Sequence, residues 1–334
     1  MRQRLRIFAF MYNLLSVAEL VYFIVGLYLI DWELADLEHN PLLGPGPEGI
    51  LKMGGTHTAR VIERRQYWRL VTSLFFNAGA IHLMANLGMV WTFGHFLVRE
   101  LSPYTVAFIF LASGLGGVLV SANVGSENMT AAASIPAFGL AGAAAVMLVL
   151  RWRRYACHAA SAALVCFIVG CNAFIGATPF VDNSGNTAGL VFGGTLCVSA
   201  LLVRRKAASS RPREVLLHAG AALLVVAVLA AIIGGLVGLQ LDAPVGGCCN
   251  QWVCTRSPWW DCDASRIWPT SCAYTTFLNS TSMLTCPRGQ QVTIGVVNRT
   301  DIGPVLIQQW CDAYCSASGV PVTGGSGSGN SGLQ

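Results

Sequence analysis

Seven runs of mostly apolar residues decide what this chain can fold into. They lie near Ile7–Ile30, Leu70–Gly94, Tyr104–Asn123, Ala131–Leu150, Cys157–Gly176, Asn183–Val203 and Val215–Leu241. Each approaches or exceeds the ~20 residues that a helix needs to cross ~30 Å of hydrocarbon. In lipid every backbone N–H and C=O must find a partner within the protein, and runs of this length do so as helices. With 54% hydrophobic and only 11% charged residues, the chain reads as an all-α polytopic membrane protein. The lipid bilayer is its first partner.

Basic residues orient the bundle, since short cytosolic loops are rich in Lys and Arg. Arg2, Arg4 and Arg6 precede the first run; Arg99, then Arg151, Arg153 and Arg154, then Arg204, Arg205, Lys206, Arg211 and Arg213 fall in alternate loops after it. This predicts a cytosolic N-terminus and a C-terminal tail on the other side. Lys52, Arg60, Arg64 and Arg65 in the first loop are offset by Asp31, Glu33, Asp36, Glu38, Glu48 and Glu63. The net charge of +5 is thus a matter of topology, and no nucleic-acid partner is expected. The first run is too long for a signal-peptide core and reads as a retained anchor.

Cysteine usage agrees with an exported tail. Cys157, Cys166, Cys171 and Cys197 fall in apolar runs and read as small buried residues. Eight more, Cys248, Cys249, Cys254, Cys262, Cys272, Cys286, Cys311 and Cys315, crowd the tail. An even number on a non-cytosolic side predicts disulfides, with the pairing open. That tail has no His and no repeated Cys-x-x-Cys pair, so neither a metal nor another cofactor is expected. Three Asn-x-Ser/Thr sequons, at Asn128, Asn279 and Asn298, all fall on the same predicted side and suggest a glycoprotein of the secretory pathway or plasma membrane.

Polar residues inside the apolar runs are the candidate sites, because each is costly in lipid. Glu19 stands near the middle of the first helix, either as a functional group or bonded to a neighbour within the bundle. The second run carries Ser73, Asn77, His82 and Asn86, the last two four apart and so on one helix face. In the fourth, Ser134 precedes Pro136 and an apolar stretch, a position suited to an N-cap. The sixth begins Val-Asp-Asn-Ser-Gly-Asn186 and carries Gly185, Gly189 and Gly193, a small residue at each turn that lets helix backbones approach. Trp68-Arg69, at the end of a long first loop, reads as an interfacial anchor.

Taken together these motifs resemble the rhomboid family of intramembrane serine proteases. His82-Leu-Met-Ala-Asn86 is similar to its HLxxN motif, whose His and Asn stabilise the oxyanion; Asn77 stands where the family commonly has another His. Ala132-Ala-Ser134-Ile135-Pro-Ala-Phe138-Gly139-Leu140 is similar to GxSGxxFGL, which puts Ser134 at the nucleophile position with Ala132 and Ile135 in place of glycines. Trp68-Arg69 resembles the end of the family's bracing first loop. The sixth run is similar to VDNxAHxxGxxxG, with Asn186 where the resemblance implies the base His. Cys254 to Cys262 is similar to a cysteine segment after the last helix of plant rhomboids.

The resemblance implies a six-helix bundle over residues 1–203, with a long first loop over 31–69. A basic linker and seventh helix over 204–241 make the six-plus-one arrangement of secretory-pathway members. A Cys-rich tail occupies 242–322, and 323–334 is a flexible Gly/Ser end or an expression remnant. It also implies a vestigial site: a hydroxyl at Ser134 and donors at His82 and Asn86, but no base, since an amide does not accept a proton at neutral pH. His39, His57, His158 and His218 lie in the first loop or at the starts of other helices. Expected, then, is a rhomboid-like pseudoprotease that binds, retains or routes transmembrane clients. A structural subunit held through the Cys-rich tail and an active protease are the alternatives.

Overall fold

The computed structural model describes residues 1–62, 65–124, 129–204, 211–241, 254–262, 273–276, 281–285 and 291–296. Its contacts divide the chain into two units, Met1–Arg266 and Ile267–Gln334. The first unit holds α1 (Arg2–Leu29), α2 (Pro47–Lys52), α3 (Thr58–Ile62), α4 (Arg69–Thr72), α5 (Ala80–Glu100), α6 (Pro103–Val124), α7 (Ser134–Leu150), α8 (His158–Ile175), α9 (Asn183–Arg204) and α10 (Arg211–Gln240). Six of these are long and apolar enough to cross a membrane; α7 is apolar but has 17 residues. Large apolar side chains such as Leu14, Val21, Phe167, Leu216, Leu223 and Ile233 are exposed on their outer faces, as lipid contact requires and water would penalise. The chain is an integral membrane protein.

Helix ends follow local chemistry. α6 starts at Pro103 behind Ser102, whose Oγ accepts from the Thr105 N–H at 3.1 Å, an N-cap with proline in the first position. Asp182 does the same for α9, with Oδ1 accepting from the Ser184 N–H at 2.7 Å. α5 is capped from a distance: the N–H groups of Ala80 and Ile81 donate to the carbonyls of Leu43 and Leu42 in the first loop. That loop is held by Asn40, fully buried, whose Nδ2 donates to the carbonyls of Pro45 and Ala78, both at 2.9 Å.

The second apolar run is not one helix. The stretch from Arg69 to Phe75 is a short helix and a 3-10 turn, Phe76 is extended, and the crossing helix begins at Ala80. Ser73 and Asn77 therefore precede the helix that bears His82 and Asn86. Asn77 and Gly79 mark the break, but with apolar residues on both sides of it the run reads as one helix.

At the centre α7 and α9 pack against each other, with α6 beside both, and 13 residues of α7 are buried. The glycine stripe explains the closeness. A methyl at Gly193 would overlap the Gly139 backbone, and one at Gly142 would overlap that of Leu190. α8 is peripheral: Asn172 is its one buried residue. Cys157, Cys166 and Cys171 are exposed and Cys197 alone of the four is buried, which corrects the expectation that all four are interior. α8 has too little packing around it to cover them.

At the arginine-rich end Glu100 pairs with Arg151 and Arg154, and its carbonyl accepts from Arg204. At the other end residues 254–262 form a hairpin closed by a Cys254–Cys262 disulfide. Its Thr255 and Asp261 N–H groups donate to the carbonyls of Ala177 and Glu38, at 3.0 and 2.9 Å, and Trp260 meets Phe174 of α8 at 6.0 Å between ring centres. The other six tail cysteines and the three sequon asparagines lie outside the described residues. The second unit contains an antiparallel sheet, β1 (Ala273–Thr276), β2 (Thr281–Thr285) and β3 (Gln291–Val296), in the order β1-β2-β3, strands that the all-α reading did not anticipate.

Candidate functional site

Three loops converge on the start of α7. The Ala132 N–H donates to the Ser73 carbonyl at 3.1 Å, Ala133 to Phe76 at 3.3 Å and Ala131 to Phe180 at 2.8 Å, while Thr56 and Thr130 exchange both backbone bonds. Phe180 has φ 67° and is fully buried. This backbone cradle sets where Ser134 sits.

Ser134 is not a cap. α7 begins at Ser134 itself, the residue before it is Ala133, and no side-chain cap bond is made. Its Oγ is buried and has no hydrogen-bond partner among the described residues. The three backbone bonds of Ala131 to Ala133 hold the turn that a cap would otherwise stabilise. An unpaired buried hydroxyl costs ~1–3 kcal/mol, so the site keeps a polar group that packing does not require.

Ile135 goes elsewhere. Its side chain fills a slot lined by Gly117 of α6 and Gly185 and Gly189 of α9, where its carbonyl also lies against Gly189. The glycines give this bulky residue, which stands where the resemblance has glycine, room at the helix interface. The same contacts bring Ser134 and Asn186 to one level of the α7–α9 seam. They share no hydrogen bond. Asn186 Nδ2 donates to Asn183 Oδ1 at 3.4 Å, and its buried Oδ1 has no partner among the described residues.

On the other wall His82 Nδ1 accepts from the Ala78 N–H at 3.1 Å, which leaves the ring proton on Nε2. That nitrogen is buried without a partner among the described residues. Asn86 Nδ2 donates to Asn77 Oδ1 at 2.8 Å, and Asn77 Nδ2 donates to Glu19 Oε2 at 3.0 Å. Glu19 is thus bonded within the bundle, and it ties α1 to the candidate oxyanion residue Asn86 through the Asn77 amide. Sequence reading noted Glu19 and Asn77 separately; their 58-residue separation hid the link.

Arg69 is buried and faces inward. Its Nη1 donates to the carbonyls of Leu51 and Gly55 at 3.0 and 2.8 Å, its Nε to Gln66 at 2.7 Å, and it lies 4.6 Å from the Trp68 ring centre. Trp68 remains half-exposed. Between those carbonyls Gly54 has φ 98°, a conformation that favours glycine.

Two residues were missed. Asp182 is buried, with Oδ2 unpartnered among the described residues; its place before Asn183 was the available signal. His95, the remaining histidine, lies 13 residues beyond His82 on α5, ~20 Å along the axis, and stacks on Trp91 at 5.4 Å. Among the described residues no three His, Cys, Asp or Glu side chains gather as a metal site.

Residues 64–205 match the family described as the rhomboid domain. That stretch of the chain is similar to a rhomboid domain. Among its relatives in Arabidopsis thaliana, RHOMBOID-like protein 7 is 32% identical over 202 residues, covering 56% of this chain and 64% of that protein. RHOMBOID-like protein 4 is 27% identical over 288 residues, 82% of this chain and 72% of that protein. Inactive RHOMBOID-like protein 8 is 33% identical over 159 residues, 46% of this chain and 44% of that protein. The chain thus spans less than two thirds of the first of these relatives. The matched stretch contains His82, Asn86, Ser134, Asn186 and the glycine stripe, and it ends one residue past α9.

Proposed function

We propose that this chain is a catalytically inactive rhomboid-like protein of the six-plus-one secretory-pathway type, one that binds, retains or routes transmembrane clients without cutting them. The observation that carries the reading is the Ser134 hydroxyl, buried with no hydrogen-bond partner among the described residues, at the level of an amide on α9. Peptide hydrolysis by a serine needs a base that takes the hydroxyl proton. Asn186 has none to offer. His82 does not replace it, because Nδ1 already accepts from Ala78 and Nε2 is the donor.

What remains is a recognition surface. His82 Nε2 is a buried donor able to meet a peptide carbonyl, and the Ser134 hydroxyl a second. Removing one member of such a unit abolishes most of its joint rate effect and leaves binding. One relative, Inactive RHOMBOID-like protein 8, bears the same reading in its name. The tail, with its glycosylation candidates and disulfides, faces the lumen or exterior in this proposal. Clients or subunits of a membrane complex are its partners.

Two measurements test the proposal. Purified protein treated with a fluorophosphonate probe is expected to stay unlabelled at Ser134; labelling lost in Ser134→Ala would establish an active enzyme instead. Photo-crosslinkers at Ala132 and Asn186 are expected to capture single-span membrane proteins. Capture that persists without the site and vanishes when the tail is deleted would instead favour an assembly subunit.

A further inference from the structure

We infer that the bundle holds an anionic phospholipid, one acyl chain lying between α1 and α6 and the headgroup on Arg4. A cleft of about 380 Å³ opens there, walled by Phe8, Tyr12, Leu15 and Ala18 of α1 and by Val106 and Phe110 of α6. The walls are apolar throughout: Tyr12 presents its ring, since its hydroxyl donates to the Leu87 carbonyl at 3.2 Å. From Phe8 to Ala18 is ten residues, ~15 Å along a helix, half of the ~30 Å hydrocarbon core. That is the depth of one leaflet, which suits an acyl chain; a client helix has to cross both.

Charge selects the headgroup. Positions 4, 8, 12, 15 and 18 fall on one face of α1, so Arg4 continues the stripe that lines the cleft and stands one turn beyond its mouth. Arg4 is exposed and within electrostatic reach of Arg204. At this end Glu100 is the acidic group between Arg151, Arg154 and Arg204, leaving positive charge in excess. Basic sites at this end of a bundle favour anionic headgroups by about fivefold for each arginine near the surface. Arg2 and Arg6 project from the opposite side of α1 and supply the control.

The test uses the full chain in nanodiscs of phosphatidylcholine with a minor share of phosphatidylglycerol, followed by native mass spectrometry of the lipids retained on extraction. Phosphatidylglycerol is expected to be retained over phosphatidylcholine. Arg4→Gln is expected to lower that preference about fivefold, Arg2→Gln to leave it unchanged, and Ala107→Trp, which fills the cleft, to remove the retained lipid. Arg4 is a surface residue, so its variant stays readable if Ala107→Trp fails to fold. Equal retention of both lipids, or equal effects of Arg4→Gln and Arg2→Gln, would overturn the inference. So would a photo-crosslinker at Ala107 that captures a protein helix and no lipid.

Discussion

Replacing Gly193 by alanine isolates the contact on which the site geometry rests. A methyl there would lie 2.5 Å from the Gly139 carbonyl carbon and 2.6 Å from its Cα, with the carbonyl oxygen closer still. Ordinary carbon contacts are ~3.5–4.0 Å, so α7 and α9 would have to part by about 1 Å. A flexible side chain can swing aside; helix backbone cannot. Overpacking of a dense interior costs ~1–3 kcal/mol, and a rigid obstacle argues for the upper figure. Alanine recovers up to ~1 kcal/mol of helix propensity. A net loss of about 2 kcal/mol is expected. Gly170 in α8 is the matched control, since a methyl there meets nothing within 4 Å; Gly170→Ala should be neutral or slightly stabilising.

Unfolding both variants in mixed micelles of dodecyl maltoside with increasing SDS, followed by tryptophan fluorescence, reads the difference directly. Gly193→Ala is expected to unfold about 2–3 kcal/mol more easily than Gly170→Ala. Midpoints within ~0.5 kcal/mol of each other, the usual scale of an inconsequential substitution, would mean that the α7–α9 approach is not as close as described. The register that brings Ser134 level with Asn186 would then lose its support.

Other changes probe the polar chains. Asn77→Ala strands the Glu19 carboxylate inside the bundle and should cost ~1–3 kcal/mol in the same micelle assay, whereas Glu19→Gln keeps an acceptor for Asn77 and should cost under ~1 kcal/mol. Arg69→Lys loses the fork that holds the Leu51 and Gly55 carbonyls; limited proteolysis should cut the first loop faster, and unchanged cutting would remove Arg69 as its brace. Asn186→His restores a base at the seam, and fluorophosphonate labelling of Ser134 should rise by ~10²–10⁴-fold, the range of general-base catalysis. Equal labelling of the unaltered protein would refute the idea that the imidazole is what is missing.

Much of this molecule was legible in its sequence because lipid enforces simple rules. Apolar runs predicted the crossing helices, and the spacing of Gly185, Gly189 and Gly193 predicted a close helix contact. Where sequence reading failed, the cause was tertiary. The break at Phe76 to Gly79 lies within a long, mostly apolar run, where Asn77 and Gly79 read as polar and small residues of one helix, so the end of α4 and the start of α5 merged. Ser134 looked like a cap because Pro136 follows it, yet backbone bonds from Ala131 to Ala133 replace that function. Asn40 gave no periodic signal at all, although it joins the first loop to the residue that bonds His82. The β1–β3 strands are too short, and lie among too many cysteines, for alternation to stand out.

The packing residues and the polar residues of the site answer to different constraints, and only the second kind bears on chemistry. Gly142, Gly189 and Gly193 would each meet backbone of the facing helix, and Gly139 the Ser113 side chain of α6, so they are needed for the bundle whether or not a bond is ever cut. Ile135 shows that this constraint is local: a bulky side chain is accommodated where Gly117, Gly185 and Gly189 leave a slot. A functional reading therefore cannot lean on a well-formed stripe, because a fold does not carry its activity along. It rests on which buried polar atoms lack partners among the described residues, here Ser134 Oγ, His82 Nε2, Asn86 Oδ1 and Asn186 Oδ1. Each is costly to keep unpaired in lipid, and the amide rather than an imidazole at Asn186 is why the reading proposed above is one of binding and not of hydrolysis.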